Sequence, residues 1–142
     1  MTDPRIILFQ VRDPQTKLNR LIETAHAHFE KKEPLLIFVD DAKAALFVDD
    51  LLWKMPAFGF LPHAIIETMQ DESLPIYIAI TKEKSNLNQA KAAFNLCATP
   101  LMIEGPFKII YDFEDLTSLS RQHLSTLRFE AYKNARYVIE AR

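Results

Sequence analysis

With 142 residues, 49% of them apolar and 25% charged, the chain has the length of one domain and is too apolar to be disordered. A chain of this length buries roughly 70% of its unfolded surface, so its core requires neither a disulfide nor a metal staple. A net charge of −2 gives no general attraction to a polyanion, and one cysteine, Cys97, admits no internal disulfide and fits a reducing cytoplasm.

The N-terminal Met1-Thr2-Asp3-Pro4 leads into Arg5–Val11, whose apolar run Ile6–Phe9 is too short for a signal-peptide core or a membrane span and reads as a buried strand. From Thr16 to Lys32, Leu18, Leu21, Ile22, Ala25 and Phe29 recur on one helical face, with Thr16 as candidate cap. Leu35–Val39 is a second buried strand. Asp40-Asp41 opens a second helix, Ala42 to Lys54. Pro56 and Pro62 then bracket an irregular, aromatic-rich stretch ending at His63. Ile76–Ile80 is a strand, and Lys82–Asn88 a polar loop. Ala90–Ala98 is compatible with helix or strand. Phe107–Phe113 is a strand, and Asp115 or Thr117 caps a last helix to about Tyr137, with Leu116, Leu119, Leu124, Leu127, Ala131 and Ala135 as its inward face. Strands alternating with helices predict one α/β domain over residues 1–142, a single open, mainly parallel sheet flanked by helices.

Two glycines are too few for a phosphate-cradling loop, and neither Gly59 nor Gly105 lies in a dinucleotide or P-loop pattern. The expected fold is Rossmann-like without the nucleotide-binding turn. Asp40-Asp41 lies where α/β proteins place ligand groups, with Thr81 and Lys82 nearby. One reading is a small ligand-binding protein or enzyme with a Mg²⁺ pair there; the other is helix capping and a dipole interaction. Asp49-Asp50, in mid-helix, reads as solvated surface. His26 and His28 diverge by about 200° on their helix, and His63 and His123 lack a partner at ligand spacing, so no metal site is expected. Cys97 reads as a small core residue, and no nucleophile-elbow or Ser/His/Asp set can be assembled. No cofactor or catalytic residue is assigned.

Two segments carry the remaining signal. In Leu51–His63, Trp53, Phe58 and Phe60 fall in eight residues, either as a lid on the core or as a docking patch. From Thr117 to Arg142, five cations face two carboxylates, a net +3 that is either a solvated helix face or a surface for an acidic ligand.

Asp49-Asp50-Leu51-Leu52-Trp53 followed by Pro56 and Phe60-Leu61-Pro62-His63 resembles the D-x-x-L-W, proline, F-x-P-H pattern of the chi subunit of bacterial DNA polymerase III. Leu35–Ala45, Pro75–Ile78 and Arg128-Phe129-Glu130-Ala131-Tyr132 resemble further stretches of that family. The resemblance implies a non-catalytic accessory subunit, associated with the clamp loader, acting in DNA replication and repair and touching DNA only indirectly. It implies two docking surfaces. One, around Trp53, Phe58 and Phe60, would receive the psi subunit or a related helicase partner. The other would receive the acidic C-terminal tail of single-stranded-DNA-binding protein, which ends in a phenylalanine. The family's basic positions fall on Thr126 and Glu130, so Arg128 and Lys133 would supply charge here, with Phe129 and Tyr132 beside the notch for the ring.

Overall fold

The computed structural model describes residues 4–54, 60–71, 75–103 and 107–142. In chain order the elements are β1 (Arg5–Val11), α1 (Pro14–Glu30), β2 (Leu35–Phe38), α2 (Ala42–Lys54), β3 (Ala64–Ile65), β4 (Ile78–Thr81), β5 (Ala92–Asn95), β6 (Ile109–Asp115), α3 (Leu119–Asn134) and β7 (Val138–Ala141). The described strands form one sheet in the order β3-β4-β2-β5-β6-β1-β7, and every pairing is parallel. The predicted open α/β sheet is therefore present. Ala90–Ala98 resolves as a strand at its centre.

The sheet is buried on both faces, which is why its central strands are continuous apolar runs. Leu35, Ile37 and Val39 pack with Leu21, Ile22 and Ala25 of α1 and with Ala45, Val48 and Leu52 of α2. The alternating Leu36 and Phe38 join Ala93, Ile110 and Tyr132 of α3 on the other face. Topology accounts for this division. The connections through α1 and α2 both step from β1 toward β3, while α3 steps the opposite way from β6 to β7, so right-handed crossovers place α3 alone on its face. The chain thus reverses direction at the neighbours β6 and β1, and the carboxyl ends of the central strands open between the first turns of α1, α2 and α3.

Several local expectations need correction. Asp13, not Thr16, caps α1: its carboxylate accepts from the Thr16 amide and hydroxyl, both at 2.8 Å, and Pro14 fills the first turn. Ser118 caps α3 by accepting from the Arg121 amide at 3.2 Å, whereas Asp115 belongs to β6. The inward face of α3 is Ser125, Arg128 and Tyr132; Leu119, Leu124 and Leu127 face solvent. Finally, α3 stops at Asn134, short of the expected Tyr137, and the chain turns into β7, an edge strand beside β1 for which the sequence gives no expectation.

Candidate partner-binding site

At the end of α2, Trp53 is 51% exposed and Phe60 is 71% exposed, and their ring centroids lie 5.4 Å apart. Phe58 lies outside the described residues. The pair stands on a fixed base. The His63 side chain is fully buried, its ring centroid is 4.5 Å from that of Trp53, and its nitrogens face the Leu61 carbonyl at 2.7 Å and the Asp49 carbonyl at 3.1 Å. The Asp49 carboxylate is also 3.2 Å from Nε2, so it is a partner of His63 rather than bare surface. Asp50 does face solvent, paired with Lys54 at 2.7 Å. The aromatic stretch therefore does both things the sequence left open: Leu61 and His63 belong to the interior, while Trp53 and Phe60 present apolar rings to water. Leu46 on α2 and Met69 after β3 are exposed as well.

The last helix divides its residues by face. Arg128 is buried; Nε donates to Asp112 Oδ1 at 3.2 Å, and the terminal nitrogens donate to the carbonyls of Ala98 and Phe113 and to the Ser125 hydroxyl. Tyr132 is fully buried and donates its hydroxyl to Asp112 Oδ2 at 2.7 Å, while the Tyr132 hydroxyl oxygen accepts from the Leu101 amide at 3.1 Å. Burial pushes the Asp112 carboxyl up, with Arg128, Tyr132, the Phe113 amide and Asn95 opposing it. Burial and then the Asp112 charge push the Tyr132 phenol up as well. On a flanking face of α3, Lys133 holds its ammonium 5.4 Å from the Phe129 ring centroid, with Lys133 exposed and Phe129 half-buried. Phe129 borders a hollow of about 230 Å³ with Leu8, Leu116 and Thr126.

A family model described as "DNA polymerase III chi subunit, HolC" matches residues 4–140 of this 142-residue chain. The chain belongs to that family. No individual curated protein matches it.

Within the chi family frame, the four residues assigned to one tail-binding group separate. Phe129 and Lys133 lie together at the surface. Arg128 and Tyr132 are drawn inward because Asp112, on the strand beneath, needs counter-charge and donors once buried. The free Arg128 expected from sequence is thus corrected to a buried counter-ion. The residue most plainly missed is His63, whose motif position was noted but whose carbonyl partners lie two and fourteen positions away in the chain.

At the strand ends, Asp41 accepts from the Ala44 amide at 2.8 Å, capping α2, and Asp40 accepts from the Ala98 amide at 3.0 Å, tying down the loop after β5. Both carboxylates thus have structural partners. Cys97 is buried, which pushes its thiol up despite Lys84 Nζ at 3.1 Å from Sγ, so it is a poor nucleophile. Among the described residues, no group of three or more His, Cys, Asp or Glu side chains converges on a metal position, and no helix is long and apolar enough to cross a membrane.

Proposed function

We propose that this chain is a non-catalytic accessory subunit that connects DNA polymerase III and its clamp loader to single-stranded-DNA-binding protein during replication. The observation that carries the reading, given the family, is the exposed Trp53–Phe60 pair on its buried His63 base. Interfaces are anchored by aromatic side chains held rigidly enough that little order is lost on docking. This face would take the psi subunit or a related helicase partner, with Phe58 as a further candidate anchor.

The second face would take the acidic tail of single-stranded-DNA-binding protein. Lys133 supplies a cation, and the hollow beside Phe129 offers Leu8 and Leu116 to the terminal ring, although Glu114, Gln122, Ser125 and Thr126 also line it. Arg128 and Tyr132, which the sequence also assigned to this group, would act by holding α3 in place. Glu130, exposed on the same helix, opposes an acidic ligand. A single exposed cation gives weak, screened attraction, so binding should be micromolar and fall with salt.

A labelled tail peptide titrated at two salt concentrations tests this face. Lys133→Glu should abolish binding, and Glu130→Lys should tighten it several-fold. Capture of single-stranded-DNA-binding protein should require that protein's last residues. Phe60→Ala should leave tail binding intact while weakening the other partner by about 2 kcal/mol or more. Absence of tail binding at low salt would remove the single-strand link from the reading.

A further inference from the structure

A cavity of about 290 Å³ opens at the carboxyl ends of the central strands, between the start of α1 and the start of α2. It is separate from both faces described above. Phe47, on its wall, lies almost two helical turns before Trp53, and Arg121 lies twelve residues before Lys133, about 18 Å along α3. The wall is almost wholly apolar, with Leu18, Val48, Leu96 and Phe113 among its residues, and Phe47 is 60% exposed at the mouth. Among the described residues, the only charged ones lining it are Lys17 and Arg121, and no carboxylate does.

These cations differ in their commitments. Lys17 donates to Asp115 Oδ2 at 2.6 Å, and Asp115 also accepts from the Thr117 amide and hydroxyl; these contacts hold its carboxyl below the usual range although burial raises it. That pair is internally balanced. Arg121 makes a long contact of 3.4 Å to the Thr117 hydroxyl, and no described carboxylate lies within ion-pair distance of it. At each of the three helix starts one first-turn amide is already taken, by Asp13, Asp41 and Ser118. An unpaired guanidinium therefore stands at the mouth of an apolar hollow. Arg121 and Lys17 also line the adjoining, more polar hollow that holds Asp40 and Asp115, so Arg121 stands at the boundary between that hollow and the apolar one.

We infer that this cavity binds a small organic anion with a flat apolar body, its carboxylate on Arg121 and its ring against Phe47, Leu18 and Phe113. Arg grips a carboxylate through two parallel hydrogen bonds, and a volume near 300 Å³ is at the small end of ligand sites. The site has no role in the docking functions proposed above.

Indole-3-acetate and its neutral counterpart indole-3-acetamide, titrated into the ¹⁵N-labelled full chain, test the inference through amide chemical shifts. The acid should bind saturably, shifting amides around 17–18, 44–48, 96 and 113, and should bind roughly five- to tenfold tighter than the amide. Arg121→Ala should erase that preference without changing amide binding, and Phe47→Ser should weaken both ligands. Arg121 is exposed, so its removal leaves the fold to report. Tail-peptide binding should be unchanged in Arg121→Ala, which separates failure here from failure of the docking reading. No saturable shift, equal binding of acid and amide, no response to Arg121→Ala, or shifts centred on Trp53 or Phe129 would each overturn it.

Discussion

Asp112 accepts from Arg128, Tyr132, Asn95 and the Phe113 amide inside the α3 face of the sheet, so removing Arg128 would strand a carboxylate away from water. Arg128→Ala should therefore cost about 3–5 kcal/mol in urea denaturation, whereas Lys133→Ala should stay within about 0.5 kcal/mol. Equal stability of the two variants would show that Arg128 is solvated. Sequence spacing could not separate these two cations, because what distinguishes them is a strand residue sixteen positions before Arg128. His28 has a second residue-scale consequence. Its Nδ1 faces the Glu33 carbonyl at 3.0 Å and its Nε2 the Tyr111 hydroxyl at 2.8 Å, and burial holds its pKa below the ordinary 6.5. Burial lowers His26 likewise. The unfolded chain then binds protons first as pH drops, so stability is full above about pH 6.5 and declines below it. Urea midpoints at pH 7.5 and 5.5 should differ in that sense, and His28→Gln should shrink the gap without closing it.

The two helices with described C-terminal turns end alike. After α1, Lys32 takes φ 55°, with amides of Lys32 and Glu33 returning to the carbonyls of Phe29 and His28. After α3, Arg136 takes φ 65°, with amides of Arg136 and Tyr137 returning to Lys133 and Tyr132. This is the Schellman arrangement, whose left-handed residue is usually glycine because a Cβ is disfavoured there. Arg136→Gly should raise stability by up to about 1 kcal/mol, a rise in melting temperature of about 3 °C. Lys32→Gly should behave similarly; a fall in both would mean that the long side chains contribute more than the backbone loses. The same substitution explains why the end of α3 and all of β7 escaped the sequence: the usual glycine stop signal is absent. The inward face of α3 was misread for a related reason. Ser125, Arg128 and Tyr132 have helical spacing but polar identities, while the leucines that mimic a core stripe point outward.

At the scale of the molecule, the parallel sheet was legible because strands covered on both faces are forced into uninterrupted apolar runs such as Leu35–Val39. Their order was not, since it depends on which way each crossover steps. The exposed aromatic pair was legible as a cluster, but its division into base and surface required the fold. The position of β1 has one further effect. It is held between β6 and β7, with Arg5 opposite both Ile109 and Val138. A ribosome delivers β1 first and its two neighbours last, and at ~5–20 residues per second the wait for β6 is roughly 5–20 s. Through that interval the apolar Ile6–Phe9 has no native neighbour to pair with. Nascent chains arrested before Ile109 emerges should be cut readily by protease within β1, and released full-length chains should resist. Folding of this subunit is thus timed by the emergence of β6 and β7, and holdase chaperones should meet it first at β1.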